Sequence, residues 1–236
     1  MHLTPAQRNQ LRKRAAAESA AKAGPSLTME GANAYELQMA ALHQDALRLK
    51  QIQSISDKAK LKVQLVTAYE PYVAGVLEAG QGAQDDVLTT VMTWRIDAGL
   101  YQQALEIARY VLQHKLILPD RFRRTVGCYV AEEIATAALD ALKAESSFDS
   151  EVLIATEQLT RDQDMPDEAR AKLHLAIGRV VVFEVPDKPT AEGIARLQTA
   201  RTHLARAIEL HSGCGGKKDL ERLASRLKKI AEQKPS

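Results

Sequence analysis

Nearly every stretch of this chain spaces its apolar residues three or four positions apart, a period that fits helices and not strands. Tyr35, Met39, Leu42, Ala46 and Leu49 follow 4-3-4-3 spacing, the a/d seam of a helix pair or coiled coil. Leu61, Leu65, Val66 and Tyr69 form the next stripe; Pro71 is expected to start or kink the following turn, and Gly80-Gln81-Gly82 to break it. Val87, Leu88, Val91 and Trp94 make a further face that ends at Asp97-Ala98-Gly99, where Gly99 suits a left-handed C-cap. Ala104, Leu105, Ala108, Leu112 and Leu116 make the next, closed by Pro119. Helices are predicted near 128–145, 150–161, 166–183, 190–211 and 217–232. A strand competes only at the β-branched run Val180–Val185, and its continuity with Leu173 and Ile177 favours helix. The expected fold is all-α, built of helical hairpins.

Part of that pattern repeats. Gly99-x-Tyr101-x-x-Ala104-Leu105-x-x-Ala108 matches the second helix of a tetratricopeptide hairpin, and Leu197, Ala200, Leu204, Ala207, Ile208 and Leu210 echo the spacing. Two incomplete copies far apart indicate tetratricopeptide-like hairpins in part, not a solenoid. Trp94, on the Val87/Val91 face, and Tyr101, just after the Gly99 turn, are expected to be packing residues.

Composition excludes several functions. Aromatics are 4% of 236 residues, too few for base-stacking platforms or aromatic-lined pockets. Cys128 and Cys214 cannot form a disulfide framework or a four-cysteine zinc site. The N-terminus lacks an apolar h-region, and no apolar run is long enough to span a bilayer, so a soluble protein of a reducing cytoplasm is expected.

The sequence carries few candidate chemical motifs. Gly213-Cys214-Gly215-Gly216-Lys217-Lys218 lacks Walker A spacing and follows no strand, so it is expected to be a turn. The six histidines show no His-x-x-x-His pair. The Glu/Asp-x-Lys spacing that many nucleases use occurs at Glu232-Gln233-Lys234, in the terminal tail. Asp85 and Asp86 are adjacent carboxylates, but neighbouring helical residues point about 100° apart. Acidic residues in a helix's first turn, facing the positive end of its dipole, account for them better than a metal does. No catalytic residue, metal site or cofactor is predicted.

Charge is unevenly placed. Residues 1–24 carry Arg8, Arg12, Lys13, Arg14 and Lys22 against Glu18 alone, and residues 212–236 carry seven Lys/Arg against three acids; each end is net +4. The whole chain is +2, so the body is −6. Basic ends on an acidic body fit a polyanionic partner met by the ends. Thr4-Pro5-Ala6-Gln7 is a capping box with proline at the first helical position, and Gly24-Pro25 ends that helix. With few large apolar residues beyond Leu11, it reads as an arm ordered on a partner. The chain thus divides into a basic arm over 1–24, a helical oligomerisation segment over 30–79, a helical-hairpin core over 80–211, and a basic C-terminal helix and tail over 212–236.

The block Gly80-Gln-Gly-Ala-Gln-Asp-Asp-Val-Leu-Thr-Thr-Val-Met-Thr-Trp-Arg-Ile-Asp-Ala-Gly99 resembles the small terminase subunit family of temperate contractile-tailed phages with cohesive DNA ends. The likeness continues through Ala104-Leu-Glu-Ile-Ala-Arg-Tyr110, Arg123-Arg124-Thr125, Asp164-Met-Pro-Asp-Glu168 and Gly216-Lys-Lys218, and includes Thr4-Pro-Ala-Gln-Arg8. It implies a ring-forming homo-oligomer of the host cytoplasm, with no role at a membrane. Such a protein binds the packaging site on concatemeric double-stranded viral DNA and presents it to the large, ATPase-bearing terminase subunit. The family has also been labelled the endonuclease subunit of its terminase.

Read with that resemblance, Arg8, Arg12, Lys13, Arg14 and Lys22 are the expected DNA contacts, with Arg121, Arg123 and Arg124 as the rival patch. Tyr35, Met39, Leu42 and Leu49 are the expected assembly seam. Two other readings stay open: a metal-dependent DNA endonuclease acting at the cohesive-end site, and a tetratricopeptide-like adaptor indifferent to nucleic acid.

Overall fold

A computed structural model of the chain describes residues 3–22, 33–119 and 124–232. Ten helices occur among them, with no strand. They fall into two compact units, Met1–Val126 and Gly127–Ser236. The division lies inside the segment 80–211 that the sequence suggested as one core.

The first unit contains α1 (Pro5–Ala21), α2 (Asn33–Gln51), α3 (Ile55–Ala79), α4 (Asp86–Asp97) and α5 (Tyr101–Gln113). α4 is its centre, packed against α2, α3 and α5, and every residue from Val87 to Ile96 is buried. A helix enclosed on all sides must satisfy its polar groups internally. Thr89 and Thr93 donate their hydroxyls back to the carbonyls of Asp85 and Thr90, at 3.1 and 2.8 Å. Arg95, only 2% exposed, donates to Glu70 Oε2 at 2.9 Å and to the Gln103 carbonyl at 3.1 Å. Trp94 meets Tyr69 edge to face, with ring centroids 6.1 Å apart, as a packing residue. At the C-terminus Gly99 (φ 76°) makes the left-handed turn: its N–H reaches the Ile96 carbonyl, and the Leu100 N–H reaches that of Arg95.

Three sequence expectations change here. α3 does not restart at Pro71; one helix of 25 residues runs through it, held by the buried Tyr69, Tyr72, Val73 and Val76. The helix over residues 5–21 is not an undocked arm. It packs along α3, with Ala15 and Ser19 fully buried. A Cβ on Gly75 would lie 2.3 Å from the Arg12 carbonyl oxygen and 2.9 Å from Ala15 Cβ, so the two backbones nearly touch. Counting large apolar side chains missed this contact because small residues make it. Glu18 Oε2 also accepts the Ala34 N–H at 2.8 Å, tying α1 to the start of α2. The third concerns the seam: Tyr35, Leu42 and Leu49 are buried within the unit and Met39 is half-buried, so this stripe packs inside the chain.

The second unit contains α6 (Val126–Lys143), α7 (Ser150–Thr160), α8 (Asp167–Glu184), α9 (Ala191–Leu210) and α10 (Lys217–Glu232). α8 runs as helix through the β-branched stretch to Glu184, packed between α7 and α9. Its Gly178 lies under the Leu204 side chain and the Ala200 carbonyl, a second close helix contact that the missing Cβ makes room for. α10 lays Leu223 against α9 and turns most of its cations outward. No helix among the described residues is long and apolar enough to cross a membrane.

The α1–α3 contact is tested by Gly75→Val. Overpacking a site without room should cost about 1–3 kcal/mol, read as a lower melting temperature of the first unit; an unchanged melt would show that the backbones are not in contact.

Candidate nucleic-acid interface

The basic helix α1 is built as its sequence indicates. Thr4 Oγ1 accepts the Gln7 N–H at 3.3 Å, Gln7 Oε1 accepts the Thr4 N–H at 2.8 Å, and Pro5 occupies the first turn. Arg8, Arg12, Lys13 and Arg14 are exposed. Arg12 has one distant acid, Glu78 at 3.8 Å, and a contact to Asn9. Arg8, Lys13 and Arg14 have no acidic partner among the described residues. Their positive field is therefore uncancelled locally, which is what a phosphate-binding surface needs.

The four cations do not share one face. At about 100° per residue, Arg8 and Arg12 flank the seam with α3, where they line a shallow groove with Asn9, Glu70, Pro71 and Ala74. Lys13 points away from that seam and Arg14 lies on its other flank, so α1 offers a ridge charged on several sides. Lys22 is the half-buried C-cap residue. In the rival patch, Arg121 and Arg123 lie outside the described residues; Arg124 is exposed just before α6.

The adjacent carboxylates resolve as one helix cap, Asp85, and one first-turn acid, Asp86. Asp85 is the N-cap of α4 and is completely buried; Oδ1 accepts the Leu88 N–H at 2.8 Å and Oδ2 accepts the Tyr72 hydroxyl at 2.6 Å. Burial pushes its pKa up to about 6, against the pull of these two hydrogen bonds. Asp86 instead accepts from the Gln84 amide at 3.0 Å. The two carboxylates therefore serve different partners and form no chelating pair.

Sequence reasoning missed the polar pairs that join distant positions. His174 and His203 place their Nδ1 atoms 2.8 Å apart across α8 and α9. Burial, then the neighbouring ring, drives His174 down to about 4, and burial lowers His203 too. Glu184 takes Arg196 and the Ser150 hydroxyl between α7, α8 and α9. Tyr72 with Asp85 and Arg95 with Glu70 are the equivalents in the first unit. Nothing local in the sequence marks any of these pairs, because only packing brings their helices together.

Asp85 carries a pH signature. Its folded pKa lies above its unfolded value, so its contribution to stability is complete below about pH 4 and is lost as pH rises through 6. His174 acts oppositely, with stability present above about pH 6.5 and lost as pH falls toward 4. Asp85→Asn keeps a capping oxygen and removes only the first effect. Relative to wild type, the variant should gain stability from pH 4 to pH 7, by up to about 3 kcal/mol. Parallel melting curves across that range would contradict the assignment.

Comparison with known proteins gives this geometry a context. A family model described as phage small terminase subunit matches residues 39–168. The chain is similar to a protein of Escherichia phage P2 named "Terminase, endonuclease subunit", at 42% identity over 232 residues, covering 98% of this chain and 89% of that protein. No solved structure matches.

Proposed function

Since the chain belongs to the phage small terminase subunit family, whose work is phage DNA packaging, we propose that it is the non-ATPase subunit that selects the DNA. In this reading it assembles as a ring-shaped homo-oligomer, binds the packaging site on concatemeric double-stranded viral DNA, and recruits and regulates the large ATPase/nuclease subunit. The segment 1–24 supplies the principal DNA contacts. The observation that carries this is the exposed cationic ridge of α1, in which Arg8, Lys13 and Arg14 lack acidic partners among the described residues although the body of the chain is acidic. α1 lies outside the span of the family model, but the similarity to the phage P2 protein extends over 98% of the chain.

A second reading rests on the name of that relative, which calls it an endonuclease subunit. In this chain Asp85 and Asp86 are occupied separately, so we assign cutting to the holoenzyme, with the catalytic carboxylates on the large subunit. Mg²⁺-dependent nicking by the purified chain alone, lost in Asp86→Ala, would favour the second reading.

Because α1 is part of the first unit's packing, the decisive variant changes side chains and leaves the backbone in place. Arg8, Arg12, Lys13 and Arg14 all changed to Gln should weaken DNA binding and flatten the dependence of log K on log salt by about 0.9 for each phosphate no longer neutralised. Melting temperature should hold, since all four side chains are exposed. Unchanged affinity and slope in this variant, with binding abolished on changing Arg121, Arg123 and Arg124, would move the site to the rival patch.

A further inference from the structure

α10 divides its surface into an apolar side and a cationic one. Leu223 is buried, and Leu220 and Leu227 are half-buried, on the side toward α9. Polar contacts at two points fix the roll of the helix. Arg179 Nε donates to Asp219 at 2.7 Å. Arg226 donates to the carbonyls of Val182, Val185 and Pro186, at 3.2, 2.7 and 2.7 Å, where α8 ends.

What remains outward is mostly positive. Lys218, Arg222 and Lys229 fall within about 40° of one line along the helix and span about 16 Å of it. Ser225 lies between them, and all four are exposed. Lys217 and Lys228, also exposed, form a second row about 100° round. The acids on this side are Glu221 and Glu232, and Glu232 lies 3.9 Å from Lys228. Asp187 shares a groove with Arg222 and Lys229, but its ion-pair contact is Arg226, at 4.0 Å. Lys218, Arg222 and Lys229 have no acidic partner among the described residues.

We propose that this face of α10 is a second, sequence-independent binding surface for the phosphate backbone of duplex DNA. The inference rests on the DNA binding in the proposed function and adds a contact outside the segment 1–24, in the other unit of the chain. Three observations select this occupant. The free cations stand in a row, which matches a partner whose charge is also arrayed along a line; duplex DNA carries one charge per about 1.7 Å of its axis. No side chain exposed on α10 is apolar and larger than alanine, so a protein partner would find none of the apolar anchors at the centre of an ordinary interface. The helix has no aromatic residue on which an unpaired base could stack. Contacts from lysine, arginine and serine to phosphate position a duplex without selecting its sequence. Because the roll of α10 is already fixed, the row is presented without the ordering cost of a free segment.

The test measures binding of the full chain to two duplexes of equal length and unrelated sequence over a range of salt concentrations. Lys218→Gln/Arg222→Gln/Lys229→Gln should weaken binding to both equally. It should also flatten the fall of log K with log salt by about 0.9 for each lost contact, up to about 2.7 for three. Its melting temperature should hold, because all three side chains are exposed. The charge-keeping variant Lys218→Arg/Arg222→Lys/Lys229→Arg should bind as wild type does. Unchanged affinity and slope in the Gln variant overturn the inference, and binding lost in the α1 variant would then leave the proposed function standing. The reverse result, with binding lost in the Gln variant and unaffected in the α1 variant, keeps the inference and overturns the assignment of the principal contacts to segment 1–24. Loss on one duplex alone overturns the sequence-independent contact. Loss of large-subunit capture with DNA binding intact assigns the face to a protein partner and overturns the inference too. Wild type indifferent to both duplexes overturns the inference together with the DNA binding on which it rests.

Discussion

The first unit depends on the complete enclosure of α4. A twelve-residue helix with no solvent face gains apolar burial from Val87, Leu88, Val91, Met92, Trp94 and Ile96, but it also buries a carboxylate, threonines and a guanidinium. That arrangement holds only because each has a partner: Asp85 with Tyr72 and its own helix's N–H, Thr89 and Thr93 with backbone carbonyls, Arg95 with Glu70 and Gln103. An isolated buried charge would cost several kcal/mol. The positions of α3 and α5 follow, since they carry Tyr72, Glu70 and Gln103 to these groups.

Small residues set the second constraint. α1 approaches α3 over Gly75, and α8 approaches α9 over Gly178, each at a distance that a Cβ would prevent. Close approach lets a helix with very little apolar surface be held firmly. α1 therefore combines two properties that compete in most helices: it is docked, and nearly all of its outer surface is free to be charged. A docked cationic ridge reaches phosphate without the full ordering cost that a disordered arm would bear. The field it presents is strongest where no carboxylate stands near, at Lys13 and Arg14, while Arg8 and Arg12 share their groove with Glu70, whose charge Arg95 already engages.

α2 shows the same division in apolar form, one stripe packed into its own unit and the other exposed. In the proposed function avidity would follow from assembly: several weak α1 ridges on one oligomer would bind a duplex together far better than one alone.

The sequence by itself determined the helices. The expected spans 150–161, 166–183, 190–211 and 217–232 meet α7, α8, α9 and α10 to within a residue or two, because periodicity, caps and glycine turns are local properties written into neighbouring residues. The Thr4 capping box, the Gly99 turn and the excess charge of α1 were legible for the same reason. Tertiary structure decided which faces are consumed. The Tyr35–Leu49 stripe was visible as apolar, yet periodicity cannot say whether its partner lies in the same chain or another; here α2 uses that stripe inside its own unit. It likewise decided that Pro71 sits within a helix, that α1 is docked through glycine and alanine, and that His174 meets His203 across 29 positions of sequence. Such contacts depend on how close two backbones come, a distance set by the fit of whole helices and recorded in no local run of residues.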